Sequence, residues 1–247
     1  TSYETMFENE GENNVESVFE VQYTDAEGAG FGCLQCSEGN VAVGFNSIRN
    51  HTGPTYDSGY SFNVPTQEAV DSFEDGDSRK EVSVLDIEAW AEQTGATYGI
   101  GYEHTGYYNR KYIARQGDQN IGDQNLTNPN NYRSIRFADV LLMAAEANNR
   151  GSIDDAKAQS YLNMVRTRAF GGDSNNVSAS GSELTDAIYH ERRVELVGEG
   201  HRFFDLVRTG QAASEIEGFQ VGKHELFPIP VQEIQFSNGN WNQNPNY

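Results

Sequence analysis

The stretch that decides the reading is Glu191 to Gly210, ERRVELVGEGHRFFDLVRTG. With a 3.6-residue period, Glu191, Glu195 and Glu199 fall on one line of a helix, four residues apart. Val194, Leu196 and Val197 fill an apolar stripe beside that line. Past Gly198 and Gly200 the stripe restarts as Phe203, Phe204, Leu206 and Val207, and Gly210 is placed to end it as a C-cap glycine. Like-signed Glu at i, i+4 repel one another, so the line requires facing cations. Arg192, Arg193, Arg202 and Arg208 are the candidates, with Asp205 as a further anion among them, because a guanidinium can grip a carboxylate with two hydrogen bonds. The pattern predicts a pair of helices braced by ion pairs.

Three chemical readings compete with that structural one. A Glu-x-x-x-Glu-x-x-x-Glu line near His201 suggests a carboxylate metal site, but di-iron bundles need Glu-x-x-His pairs on separate helices, and none exists here. His190 directly precedes Glu191, so zinc-protease spacing fails as well. Acid–base hydrolysis is disfavoured because carboxylates paired to Arg have lowered pKa values and make poor general acids. An anion-binding Arg cluster is weakened by so many internal Glu partners. We read the segment as structural.

The same segment resembles the C-terminal signature of SusD/RagB-like proteins, the surface nutrient-binding lipoproteins of Bacteroidetes. Further similarities follow in the family's order. They are Glu16 to Tyr23 (ESVFEVQY), Val64 to Gln67 with Val70 to Phe73 and Asp75 to Arg79 (DGDSR), Tyr108 to Tyr112 (YNRKY) and Arg133 to Ala147 (RSIRFADVLLMAAEA). Leu162 to Ala169 (LNMVRTRA), Phe227 to Pro230 (FPIP) and Gln243 to Tyr247 (QNPNY) complete the series. The resemblance implies a mainly α fold with tetratricopeptide-type helices, an irregular loop-rich ligand face and a few short strands. It implies a non-catalytic protein that captures a glycan, an oligosaccharide or polysaccharide, at the cell surface. A SusC-like TonB-dependent outer-membrane transporter would be its partner. Complete members begin with a lipid-modified cysteine and a helical N-terminal half. Neither is visible in this chain, so we expect an outer-membrane lipid anchor outside it, and the N-terminal half of the same protein as a further partner.

Composition sets independent bounds. The 247 residues carry 37 acidic against 17 basic side chains, a net charge of -20. That argues against nucleic acid, whose phosphates would be repelled, and against anionic membrane surfaces. No run approaches the ~20 apolar residues of a membrane-spanning helix. Cys33 and Cys36, as Cys-Leu-Gln-Cys, are the only two cysteines. A zinc site lacks its second half. A local disulfide or two idle thiols remain, and we favour the disulfide.

Along the chain the character changes near residue 132. Residues 1–132 form the loop-rich ligand-face region and 133–247 the helical signature region with its tail, as parts of one fold. In the first part, Val18 to Tyr23 alternates as a strand, Ser83 to Leu85 suggests another, and Gln67 to Phe73 reads as a short helix capped by Thr66. In the second, Ile135 to Asn149 is a long apolar-periodic helix. A second helix, capped by Ser152 and carrying Asp154 and Asp155 in its first turn, runs to Ala169. A third starts at Ser182 or Thr185 and carries the signature. Helix, short turn, helix, longer loop, helix is the rhythm of stacked helical repeats.

A ligand site has to come from the loops. The chain holds 13 Tyr, 13 Phe and 2 Trp, many of them between Phe45 and Tyr112 beside Gly, Ser, Thr or Asn. Sugar rings bind exposed aromatic faces bordered by amide, hydroxyl and charged partners. Trp90 and Tyr56 are the leading candidates, followed by Tyr60, Tyr98 and Tyr102, with Asn46 and Arg49 as polar partners. Asp75-Gly76-Asp77 and the 118–131 loop, with Asp118, Asn120 and Asp123, invite a calcium reading. The spacing is not that of an EF-hand, and turn chemistry accounts for most of these residues. No metal or other cofactor is therefore expected, with calcium as the one candidate. Asp77 and Arg79 suggest a local ion pair. His51, His104, His190, His201 and His224 form no catalytic pattern, and there is no nucleophile elbow or phosphate loop. The rivals that remain are a glycan-cleaving enzyme using a carboxylate pair and a helical-repeat scaffold that binds only protein.

Overall fold

In a computed structural model that describes residues 2–118 and 121–247, the chain is mainly helical with a few short strands. The order is β1 (Ser17–Val21), α1 (Val41–Asn46), β2 (Ile48–Arg49), β3 (Ser58–Gly59), α2 (Gln67–Asp71), α3 (Arg79–Ser83), β4 (Val84–Asp86) and α4 (Ile87–Thr94). It continues through β5 (Tyr107–Asn109), β6 (Tyr132–Arg136), α5 (Phe137–Arg150), α6 (Asp155–Phe170), α7 (Gly181–Glu195), α8 (Arg202–Thr209), α9 (Ala212–Glu215) and α10 (Val231–Phe236). Among the described residues three two-stranded ladders occur: β1 with β6 and β4 with β5, both antiparallel, and β2 with β3, parallel. Contacts divide the chain into two compact units, 1–199 and 200–247. The compositional change near residue 132 falls inside the first.

Helices α5, α6 and α7 share one core. Leu142, Ala145, Ala158, Leu162, Val165, Leu184 and Ile188 are buried together, three to four residues apart on each helix. Ala145 and Ala158 let α5 and α6 approach closely. Truncating Leu162 to alanine here would cost about 2–5 kcal/mol. Two boundaries differ from those read in the sequence. The long apolar segment does not begin as helix at Ile135, because Tyr132–Arg136 pairs with β1, Glu20 opposite Arg133 and Ser17 opposite Arg136. Asp154, not Ser152, caps α6: its side chain accepts from the Lys157 amide, while Ser152 sits at φ 52° in the preceding turn. Thr66 caps α2 by accepting from the Ala69 amide. Gly171 closes α6 and Gly210 closes α8, both left-handed.

The acidic line is organised differently from its helical projection. Helix α7 stops at Glu195, and Gly198 and Gly200, at φ 77° and 80°, turn the backbone. Glu199 therefore stands beyond the helix, yet all three glutamates are buried. Their cations come from distant segments, not from the four arginines of the signature. Arg79 reaches Glu191 at 2.5 Å and Glu195 at 2.9 Å while pairing with Asp77 at 2.6 Å. Arg136, at the β6–α5 junction, grips Glu199 with two hydrogen bonds of 2.7 and 2.8 Å and meets Glu195 at 2.9 Å. Arg166 joins Glu191 at 2.7 Å, Arg168 joins Glu195 at 2.6 Å, and Lys111 joins Glu199 at 2.6 Å. Of the expected partners, Arg192 pairs with Asp139, Arg193 faces Glu68, Arg202 faces Glu215 and Arg208 pairs with Asp205.

Charge matching keeps these groups ionised out of water. Burial works to raise the Glu195 pKa, but Arg168, Arg136, Arg79 and Lys111 together hold it well below the usual carboxylate range. Glu199 is lowered too: burial opposes, and Arg136 and Lys111 prevail. Burial pushes the Lys111 ammonium down to about 8, against the pull of Glu199. Phe7 and Tyr3 cover it, with ring centroids 4.8 and 5.3 Å from Nζ.

The 200–247 unit is built from α8, α9, α10 and the tail. Phe203 packs on Phe227 at 6.0 Å. The Gln243 amide exchanges two 2.8 Å hydrogen bonds with the Ile229 backbone, and the Tyr247 hydroxyl donates to the Leu226 carbonyl.

Candidate functional site

The 1–199 unit presents an open cleft of about 320 Å³, lined among others by Arg49, Ser61, Phe62, Asn63, Tyr102 and Glu103. Local folding explains its floor. Asn40 caps α1 by accepting from the Ala42 amide, which leaves Phe45 on the outer face of a single-turn helix. The segment after β3 then runs beside α1: the amides of Tyr60, Ser61 and Phe62 donate to the carbonyls of Gly44, Ser47 and Phe45 at 2.8–3.0 Å. Phe62 is thereby placed 5.3 Å from Tyr60 in a near-parallel stack and 5.8 Å from Phe45. The result is a three-ring platform, with Phe62 67% and Phe45 39% exposed.

The parallel β2–β3 pair sets Arg49 opposite Gly59. From there its Nη2 donates to the Tyr60 carbonyl at 2.6 Å and its Nε to the Ser61 hydroxyl at 3.3 Å, with the guanidinium 5.8 Å from the Phe62 centroid. The opposite wall is the loop 98–106. Its Gly99 amide donates to the Arg49 carbonyl at 2.7 Å, and the Thr105 hydroxyl donates to the Pro65 carbonyl at 2.7 Å. A Cβ at 101 would sit 2.6 Å from the Ser61 hydroxyl, so the glycine lets the loop pass close to Ser61 without displacing it. Between these anchors Tyr102 projects with 90% of its surface in solvent. An exposed ring on each wall, with hydroxyl, amide, cation and anion between them, matches the faces and edges of a sugar.

Of the residues singled out in the sequence, Arg49 and Tyr102 line this cleft, and Tyr60 supports its platform. The others do not. Tyr56 is 2% exposed, packed among Ile48, Leu85, Ile87 and Ile113, and its hydroxyl accepts from Arg110 Nε at 3.0 Å. Trp90 leans on that core, half-buried, 5.3 Å from the Tyr56 ring. Tyr98 packs half-buried against His104. Asn46 is buried and accepts from Asn63 Nδ2 at 3.0 Å, so it fixes the cleft wall from behind. Phe62, Ser61, Asn63 and Glu103 were not singled out. The alternation of Tyr60 and Phe62, just after the amphipathic turn that ends in Phe45, was the available signal.

Cys33 and Cys36 form a disulfide in an exposed loop. No group of His, Cys, Asp and Glu suited to a metal ion occurs among the described residues, and Asn120 of the calcium reading lies outside them. No helix among those residues is long and apolar enough to cross a membrane.

Comparison with known proteins bears on the family and the fold. The model of the SusD family matches residues 87–225. SusD-like protein P2 of Formosa agariphila is 29% identical over 226 residues, which is 81% of this chain and 43% of that protein. Among solved structures, a laminarin-binding SusD-like protein superposes with a TM-score of 0.86 at 39% identity, over 100% of this chain and 53% of the other. Surface glycan-binding protein A from Bacteroides thetaiotaomicron, in complex with laminarihexaose, gives 0.85 at 30% identity over 100% and 55%. The chain thus spans about half the length of these relatives.

Proposed function

The chain belongs to the SusD family, and we propose that it contributes a non-catalytic glycan-binding surface that holds an oligosaccharide or polysaccharide at the cell surface. The observation that carries this reading is the exposed Phe62, backed by Tyr60 and Phe45, lining one cleft with the exposed Tyr102. Stacking on such rings, with hydrogen bonds to Arg49, Ser61 and Asn63, gives weak, reversible contacts that suit capture and release. Laminarin and laminarihexaose, named with two of the structural relatives, are the first ligands to try. A single carboxylate, Glu103, lines the cleft, whereas glycoside hydrolysis uses a facing pair. Delivery to a SusC-like TonB-dependent transporter, attachment to the outer membrane through a lipid, and packing against an N-terminal half of the same protein complete the proposal.

Calorimetric titration with laminarihexaose tests it. Phe62→Ala and Tyr102→Ala should each weaken binding about tenfold or more, the worth of one stacked ring, at an unchanged melting temperature. Unaltered affinity in both variants would sink the assignment of the cleft. Sustained release of shorter sugars at trace protein concentration would overturn the non-catalytic reading.

A further inference from the structure

Two charged side chains line the cleft, Arg49 and Glu103, and they are of opposite sign. We propose that Glu103 sets the charge class of the ligand, admitting uncharged, hydroxyl-rich glycan and turning away carboxylated or sulfated chains. The proposal rests on the glycan-binding role given to the cleft above.

The argument starts from what each group still offers. Arg49 has committed Nη2 to the Tyr60 carbonyl and Nε to the Ser61 hydroxyl, and its flat face lies against Phe62. Among the described residues Nη1 has no partner, so both of its N–H groups remain for the ligand. Glu103 sits at φ 54°, a backbone turn rare for a side-chain-bearing residue. Among the described residues its carboxylate accepts no hydrogen bond and forms no ion pair. The cleft thus sets the remaining donors of Arg49 and the partnerless carboxylate of Glu103 in one lining.

A sugar hydroxyl both donates and accepts, so neighbouring hydroxyls satisfy both walls at once. A carboxylate or sulfate can only accept. It would answer Arg49, leave Glu103 without a donor and face it as a like charge. The positive charge of Arg49 is offset by Glu103 within the cleft, and the chain's net charge of -20 adds long-range repulsion of any polyanion.

The test compares laminarin with carboxymethylated laminarin, which keeps the backbone and adds charge, at low and high ionic strength. The wild-type chain should bind the neutral polymer about tenfold or more tightly at low salt, with the gap narrowing as salt screens the repulsion. Glu103→Gln should close most of that gap at low salt by strengthening binding of the carboxymethylated polymer. Equal affinity of the wild-type chain for both polymers, or a gap that Glu103→Gln leaves intact, overturns the role of Glu103 while the cleft assignment stands. A wild-type chain that binds neither polymer, or a Phe62→Ala variant that binds both undiminished, overturns the cleft assignment and this proposal with it.

Discussion

Replacing Glu195 with glutamine keeps the shape of the side chain and removes the charge on which three cations converge. Its two oxygens accept from Arg136 at 2.9 Å, Arg168 at 2.6 Å and Arg79 at 2.9 Å, and the side chain is fully buried. The cations are not equally exposed to the loss. Arg79 keeps Asp77 and Glu191, and Arg136 keeps both oxygens of Glu199. Among the described residues Arg168 keeps only Glu16 as an anionic partner, at 3.4 Å near the surface. A glutamine must also point an amide NH₂ at one of these guanidinium groups. Breaking a buried pair from one side costs about 3–5 kcal/mol. At roughly 2–4 °C per kcal/mol for a chain of this size, that predicts a melting temperature lower by about 6–20 °C. Thermal unfolding at neutral pH, followed by circular dichroism, reads the change. Glu4→Gln is the control: it breaks the partly exposed Glu4–Arg110 pair and should cost below about 1 kcal/mol. A Glu195→Gln chain that melts within the same small margin as Glu4→Gln would refute the reasoning that the brace holds this unit together.

The brace also fixes the direction of pH dependence. Glu195 and Glu199 titrate below the ordinary 4.5 in the folded chain, so the unfolded chain binds more protons between the two values. Their contribution is then fully present above about 4.5 and lost as acid takes the pH down through the folded values, and melting between neutral and acid pH should show a shallower fall for Glu195→Gln. Lys111 runs the other way at the alkaline end: with its folded value at about 8 against 10.5 unfolded, stability should rise with pH across that window, and Lys111→Met should flatten that rise. Tyr56→Ala should destabilise by about 3–5 kcal/mol as a core truncation, while the folded fraction keeps its affinity for laminarihexaose; a selective loss of binding at full stability would put Tyr56 back at the ligand.

How much was legible depended on how far each feature reaches along the chain. Helix periodicity, the Thr66 cap and the glycine stop at 210 depend on residues within one or two turns, and these were readable. The buried glutamates were readable as an acidic line, but their cations were not. Arg79 is 112 residues from Glu191, and Arg136 is 63 from Glu199. Nearby arginines of the right sign stood in their place in the sequence reading. The same difficulty governed the aromatics. Tyr56 and Tyr60 are four residues apart in similar Gly- and Ser-rich surroundings, yet one is core and the other supports a platform. The difference is that Tyr56 meets Ile48, Ile87 and Ile113 from other segments, while Tyr60 and Phe62 hang their amides on the outside of α1. Arg49 and Tyr102, both singled out in the sequence, line the cleft, because a cation and an aromatic beside Gly101 are local facts.

The two walls of the cleft are held with unequal firmness, and that bears on how a ligand would be gripped. On the platform side, the amides of Tyr60, Ser61 and Phe62 are all hydrogen-bonded. On the other side Gly99 and Thr105 anchor the loop, but among the described residues the backbone amides from Ile100 to Glu103 have no hydrogen-bond partner. A glycan that bridges Phe62 and Tyr102 must therefore order the tip of one loop while using the other wall as it stands. Ordering of that kind subtracts from affinity and weakens each contact. Hydrogen exchange with and without saturating laminarihexaose should show amides 100–103 exchanging freely in the empty chain and slowing when ligand is bound, with 60–62 protected in both. Equal exchange at 100–103 in the two states, at a concentration where binding is measured, would mean that Tyr102 stands outside the contact and that the ligand lies on the platform alone.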